Sequence, residues 1–332
     1  MTSKIPEDFS NFIDYRNSQK QLFTAGPSSL IKENLTDLRP CFGRGDRDYA
    51  LLEDYVMKKI KDISGHKEIV RLQGSASLAL EIISLNFLYG KVLIISTGFY
   101  SDRLQKIVKN AKKIVGEIKE IKVISIENIS KITERFDWIV ACYTETSRGF
   151  KISLEKLRDK ADILKSKIML DATASIGLEE NHQLADVIGF SSCKGLFGLT
   201  GAAFITYNDT PFNKVDSFYL DISTHIKKEM TGPYHAICSL YSILKNHEIY
   251  KKTVIINKQT FLDKFKTYIN LPQENQPLLC TYISSSIASK KDSVILYKPR
   301  DLLKGSIVCH LGEAHLSDKA NGDINNLLDI VN

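Results

Sequence analysis

Short apolar runs that alternate with helical segments constrain this chain more than any other feature. The runs "KVLIIST" (91–97), "IKVISI" (121–126), "DWIVACYTE" (137–145) and "KIMLDATAS" (167–175) are strand-length and apolar along most of their extent. A strand with one buried face alternates apolar and polar residues. A continuous run is expected where both faces are covered, as in a parallel sheet. Beside these runs, "GFYSDRLQKIVKNA" (98–111) and "SLEKLRDKADILK" (153–165) carry helical spacing. Such alternation predicts an α/β fold with a large, doubly wound, mostly parallel sheet. Upstream, "DYALLEDYVMKKIKDIS" (48–64) reads as a helix that stops at Gly65, and "EIVRLQGSASLALEIISLNFL" (68–88) as strand, turn and helix. After residue 230 the pattern changes to a long predicted helix, "YHAICSLYSILKNHEIYKK" (234–252), and a less regular remainder. The length of 332 residues exceeds the usual extent of one core. The expected division is an N-terminal arm over 1–30, a large domain over 31–230 and a smaller α+β domain over 231–332.

Composition removes several function classes. The net charge of +6 comes from scattered lysines, with no basic stripe interleaved with aromatics, so nucleic acid is not an expected partner. The six cysteines form no CxxC pair, which leaves zinc and thioredoxin-type chemistry without support. Several lie in apolar runs, as small hydrophobes do, which suits a reducing cytoplasm. No run has the length of a membrane span, and the first twenty residues lack a signal-peptide core, so no membrane partner is expected.

In open α/β sheets, ligands bind beyond the carboxyl ends of the strands. After "VRL" come Gly74, Ser75, Ala76 and Ser77, which open a helix. Free amides beside hydroxyls suit a phosphate there, although the same residues also make an ordinary capped start. After "VLIIST" comes Tyr100, able to lie on a planar ligand or to cover the sheet end. After "WIVACY" come Thr144, Glu145, Thr146 and Ser147 in a row. "IMLD" ends in Asp171, a carboxylate that is costly to bury unless a cation or proton donor meets it. "VIGFSS" delivers Lys194 into a run of small residues: Ser191, Ser192, Cys193, Gly195, Gly198 and Gly201. Lys194 is either a surface residue on a strand-to-strand turn or a desolvated amine that attacks a carbonyl. One ligand suits the whole series. Pyridoxal phosphate presents a phosphate, a flat ring, a phenolic oxygen, a ring nitrogen and an aldehyde.

The blocks "LFTAGPSSL" (22–30), "LQGSASLALE" (72–81), "KVLIISTGFYSDR" (91–103) and "YTETSRG" (143–149) run in collinear order with "MLDATASIG" (169–177), "SSCKGLFGLTGAAF" (191–204), "FYLDI" (218–222) and "TGPYHAICSLYSIL" (231–244). With them the chain resembles the class V, fold-type I, pyridoxal-phosphate aminotransferases, most of all their 2-aminoethylphosphonate–pyruvate branch. The resemblance implies that Lys194 is the catalytic Schiff-base lysine and that Asp171 pairs with the pyridine nitrogen. It implies that Tyr100 stacks on the ring, that Ser75, Ala76 and Ser77 hold the phosphate, and that Thr146 meets the phenolic oxygen. Ser192 and Tyr234 are the remaining cofactor-binding positions. It further implies a homodimer with sites at the interface, "GPYHA" (232–236) approaching the neighbour's cofactor. The expected reaction moves an amino group from a small amine donor, 2-aminoethylphosphonate, to a keto acid, pyruvate. A serine or alanine aminotransferase and a pyridoxal-phosphate lyase are the alternatives.

The chain departs from this pattern at two places. Ala236 stands where relatives often carry a hydroxyl. In "GSIVCHLGEAHLS" (305–317), Ile307 stands where relatives carry the arginine that grips the substrate carboxylate, and His310 is the nearest polar side chain. The anion clamp is therefore sought among Arg44 and Arg47 of "FGRGDRDY" (42–49), Arg148 and Arg300, with Arg44 and Arg47 as the expected substrate-binding pair.

Overall fold

The structure, a computed structural model, describes residues 7–43, 45–300, 303–312 and 327–331. In chain order the strands are β1 (Gln21–Phe23), β2 (Glu68–Gln73), β3 (Gly90–Ser96), β4 (Ile118–Ser125), β5 (Trp138–Cys142), β6 (Thr144–Glu145), β7 (Phe150–Lys151) and β8 (Lys167–Asp171). They continue as β9 (Val187–Ser191), β10 (Ala202–Tyr207), β11 (Cys280–Ile283), β12 (Ser286–Ser289), β13 (Val294–Leu296), β14 (Ser306–Cys309) and β15 (Leu328–Val331). The helices are α1 (Glu7–Ser18), α2 (Arg47–Ser64), α3 (Ala76–Asn86), α4 (Phe99–Val115), α5 (Leu154–Leu164), α6 (Ile222–Ile226), α7 (Tyr234–Lys245) and α8 (His247–Phe265).

Seven strands form the central sheet in the order β2-β10-β9-β8-β5-β3-β4. β10 runs antiparallel to both of its neighbours, and the other pairings are parallel. Side chains alternate across a strand, so each apolar run feeds two cores. Trp138 and Val140 of β5 pack with α3 and α4 on one face. Ile139 and Ala141 pack with α2, α5 and α7 on the other. This double burial is why the runs carry no polar alternation. β4 differs from that expectation. It is the sheet edge, and its residues from Lys119 onward are half-buried or exposed. At Gly189 in β9, a Cβ would lie 3.0 Å from Ile83 and 3.1 Å from Leu80, so the glycine lets α3 press onto the sheet.

Three elements depart from the sequence reading. The opening arm holds a helix, α1, and a strand, β1, that pairs in parallel with β13 of the small domain. The long helix predicted over 234–252 is two helices. Asn246 leaves helical geometry at φ −109° and ψ 11°, and α8 starts at the next residue, the buried His247. The first of the two, α7, buries Tyr234, Ile237, Leu240 and Leu244 in the core of the large sheet. Beyond it, residues of α8, β11 and β14 form a separate apolar cluster with Phe261, Phe265, Ile283 and Val308. Among the described residues, no helix is long and apolar enough to cross a membrane.

A buried ion pair joins α2 to β2: Arg71 Nε lies 2.5 Å from Glu53 Oε1, and Lys228 Nζ lies 2.9 Å from the same oxygen. Burial alone would push the Glu53 carboxyl up, but the hydrogen bonds and charges of Arg71 and Lys228 outweigh it and hold it below 4.5. Glu53→Ala leaves the Arg71 guanidinium buried without its partner and is expected to cost roughly 3–5 kcal/mol in urea unfolding. Because the folded carboxyl is the stronger acid, the pair's contribution is present above about pH 4.5 and disappears as pH falls through the folded value. An Ala variant with the parent's urea midpoint at pH 7 would refute this.

Candidate active site

The carboxyl ends of β2, β3, β5, β8 and β9 open onto one cavity of about 470 Å³. Its wall includes Gly74, Ser75, Ala76, Ser77, Tyr100, Arg103, Thr144, Thr146, Asp171 and Lys194. The parallel register sets Cys142 beside Asp171, and Asp171 beside Gly189, at one edge of the sheet.

Lys194 sits in the turn between β9 and β10, half-buried. The small residues around it have a packing reason. A Cβ at Gly195 would lie 2.1 Å from the Ile176 carbonyl, and one at Gly198 would lie 2.5 Å from Leu240. The turn is held from several sides. Ser28 donates to the carbonyls of Cys193 (3.1 Å) and Lys194 (3.2 Å). His247 Nε2 lies 2.7 Å from the Gly195 carbonyl, so that nitrogen carries the proton and donates. The Lys194 ammonium stands 5.7 Å from the centre of the Tyr100 ring and meets no carboxylate at ion-pair distance among the described residues.

Asp171 ends β8 at 2% exposure. Its Oδ1 accepts from the Thr173 amide (3.0 Å) and hydroxyl. Its Oδ2 accepts from Arg103 Nη2 at 3.2 Å. A carboxylate has about four lone-pair sites, so these three bonds leave room for one more donor. Arg103 also lies over the Tyr100 ring, 5.0 Å from its centre. The sequence reading missed Arg103. The available signal was its spacing, since three residues beyond Tyr100 on a helix is the same face.

At the start of α3, the N-cap Ser75 makes no side-chain capping bond, although the cavity-facing Gly74 amide is tied to the Gly201 carbonyl at 2.9 Å. Thr144 and Thr146 bury hydroxyls that meet no partner at hydrogen-bond distance. The Tyr297 hydroxyl faces Thr146 and Tyr100 without closing a bond to either, and burial raises its pKa. Cys142 also lines the wall. Burial pushes its thiol up, aided by the charges of Asp171 and Glu145, so it stays a neutral hydrophobe.

Other expected residues stand elsewhere. The Ser192 hydroxyl is spent on the carbonyls of Leu199 (2.5 Å) and Ala202 (3.2 Å) and does not line the cavity. Tyr234 stacks on Tyr49 at 3.9 Å, with its hydroxyl near Pro40 O and Asp46 Oδ2, away from its own chain's cavity. Arg44 lies outside the described residues. Arg47 begins α2 and is exposed, off the cavity wall. Ile307 is buried in the small domain's apolar cluster. His310 is no anion clamp: burial pushes it down to about 3, and its Nε2 pairs with the Thr281 hydroxyl at 2.9 Å. Arg300 does line the cavity. Its guanidinium lies 5.3 Å from the centre of the Phe99 ring and has no acidic partner among the described residues.

The residues fit pyridoxal phosphate on structural grounds. An uncapped helix start, two orphaned hydroxyls, a buried carboxylate with spare acceptor capacity and one unpaired amine share a single cavity.

No family model matches the chain. It is 26% identical over 232 residues to an uncharacterized aminotransferase of Methanocaldococcus jannaschii, spanning 63% of this chain and 59% of that protein. It is 25% identical over 299 residues to the 2-aminoethylphosphonate–pyruvate transaminase of Pseudomonas entomophila, spanning 79% of this chain and 80% of the relative. Among solved structures, the alanine–glyoxylate aminotransferase of Nostoc sp. superposes with a TM-score of 0.73 at 17% identity, covering 88% of this chain and 90% of that one. The aspartate aminotransferase of Thermus thermophilus gives a TM-score of 0.74 at 18% identity over 88% and 93%. The chain has the fold of these enzymes, fold type I, and its sequence relatives are aminotransferases.

Proposed function

We propose that this chain, a fold-type I protein with aminotransferase relatives, is a pyridoxal-phosphate aminotransferase that moves an amino group from a small anionic amine to a keto acid. The observation that carries the reading is the pairing of one unpaired amine, Lys194, with one buried carboxylate, Asp171, across a cavity that also holds the uncapped start of α3. When bound, the cofactor supplies an electron sink for the carbanion left by proton loss. The chain's residues have separable tasks. Ser75, Ala76 and Ser77 bind the phosphate with amides and hydroxyls. Tyr100 flanks the ring face, and Thr144 and Thr146 donate to the phenolic oxygen. Asp171 holds a proton on the ring nitrogen. Lys194 Nζ removes the proton from the amine-bearing carbon of the substrate as general base and returns it as general acid. In a homodimer the segment 232–236 would serve the neighbouring cavity, in keeping with Tyr234 standing outside its own.

The similarity to 2-aminoethylphosphonate–pyruvate transaminases supports that donor and acceptor. The test is a panel of 2-aminoethylphosphonate, alanine, serine and aspartate, added singly to holoprotein and followed by the cofactor's absorbance and by product. A change with 2-aminoethylphosphonate that reverses on adding pyruvate is expected. Turnover without any keto acid would instead identify a lyase.

Chemical labelling and substitutions probe the assignments. Borohydride treatment of holoprotein and peptide mapping are expected to label Lys194, and a label on Lys151 or Lys167 would overturn its role. Asp171→Asn should keep the cofactor bound and slow turnover about a thousandfold, roughly 4 kcal/mol of transition-state stabilisation. Near-parental rates would reduce Asp171 to a turn cap. Arg300, the cavity guanidinium that meets no acidic partner among the described residues, is assigned the substrate's anionic group. Arg300→Ala should raise the donor KM about tenfold to a hundredfold, as for a lost charge-assisted bond. An unchanged KM in this variant together with a raised one in Arg47→Ala would return the clamp to the 42–49 loop.

A further inference from the structure

Glu145 is a buried carboxylate beside the cavity, and no task in the reaction uses it. It is fully buried, and no cation pairs with it among the described residues. Its acceptors are filled by neutral donors. The Tyr100 amide lies 3.2 and 3.1 Å from the two oxygens, the Ser101 amide 3.0 Å from Oε2, and the Ser147 hydroxyl 2.5 Å from Oε1. The Ser147 amide adds a longer bond of 3.3 Å. Burial pushes the carboxyl up, and these hydrogen bonds pull against that rise.

The Tyr100 and Ser101 amides are the second and third N–H groups of α4, after the Phe99 amide, which donates to Ser147 Oγ at 3.1 Å. A helix start ordinarily takes its cap from its own N-cap side chain. Here the N-cap is Gly98, which has none, and a Cβ there would lie 2.9 Å from Glu145 Cγ and from Ser147 Oγ. The cap comes instead from a residue 45 positions away in sequence. Thr144 and Thr146 flank that residue, and both line the cavity. The two threonines face the ligand space while Glu145 faces the helix. Two further cavity groups depend on where α4 starts. Tyr100 stands opposite Lys194, and Arg103 reaches Asp171 at 3.2 Å. The same carboxylate fills the anion-binding position of α4, so of the two helix starts at the cavity, that of α3 is the one left for a phosphate.

We propose that Glu145 is a positioning residue: it fastens α4 to the threonine loop and so sets the plane of Tyr100 against which the cofactor ring lies. This rests on the aminotransferase reading above. The test compares Glu145→Gln, Tyr100→Ala and the double variant by three measurements: pyridoxal-phosphate affinity of the apoprotein by equilibrium dialysis, visible circular dichroism of the bound cofactor, and urea midpoint. Glu145→Gln should weaken cofactor binding about tenfold to a hundredfold, as for the loss of charge-assisted bonds, and should diminish the dichroism of the cofactor that remains bound. In the Tyr100→Ala background it should weaken binding less than about threefold further, because both changes act through one ring. Equal losses in both backgrounds, or a lowered urea midpoint with unchanged dichroism, would show a purely structural carboxylate. Should Glu145→Gln fail to fold, Ser147→Ala removes one donor to the same carboxylate and the acceptor of the Phe99 amide. Reduced dichroism then supports the assignment, and parental dichroism overturns it. Parent protein that neither binds the cofactor nor labels at Lys194 would sink the aminotransferase reading itself, a result distinct from parental behaviour in the Glu145 variants.

Discussion

The parallel register of β5, β8 and β9 is the constraint on which the site depends. It aligns Cys142, Asp171 and Gly189 in one row, so that each chain segment leaving the sheet starts from the same edge. Parallel strands require long crossovers, and helices packed on both faces supply them. Those helices cover β5, β8 and β9 so fully that, apart from Lys167 at the start of β8, each strand is apolar up to its last residue. Polar groups are then confined to the strand ends and the turns beyond them. The chemistry gathers at the sheet edge because the interior of the sheet cannot accommodate it.

Polar groups buried at that edge are held by several different devices. Asp171 is partnered by a guanidinium and a local turn. Glu145 is satisfied by helix amides and a hydroxyl, with no cation among the described residues. Lys194 takes neither route, and its backbone is held in place of its amine. Ser28 from the opening segment and His247 from α8 both bond the carbonyls of its turn. The turn is thus fixed by segments from both ends of the chain while the nitrogen remains available. A reactive amine needs that combination, because an ammonium locked in an ion pair is a poor base.

Much of this is legible in the amino-acid sequence. The alternation of apolar runs and helices identified the sheet, and the small residues after each strand marked the cavity wall. Ser75, Ala76, Ser77, Tyr100, Thr146, Asp171 and Lys194 were all picked out from their positions after predicted strands, and all seven line one cavity. Ser192, Tyr234 and Arg47 rest on residue type and resemblance, and hydrogen bonds, ring stacking and exposure place them off this chain's own cavity wall. The break at Asn246 and the edge position of β4 escaped because each depends on what packs beside the segment.

The sequence by itself determined most strands and helices of the large sheet, its mostly parallel character and the placing of Lys194 and Asp171 after their strands, because these follow from local periodicity and from a few residues adjacent in the chain. The tertiary structure alone decided which charges meet. Arg103 and Asp171 are 68 residues apart, Glu145 and Tyr100 are 45 apart, and Arg300 comes from the far end of the chain to the same cavity. No sequence window contains such pairs. Their energies depend on burial and on distances of about 3 Å, and those exist only once the sheet edge has brought the loops together.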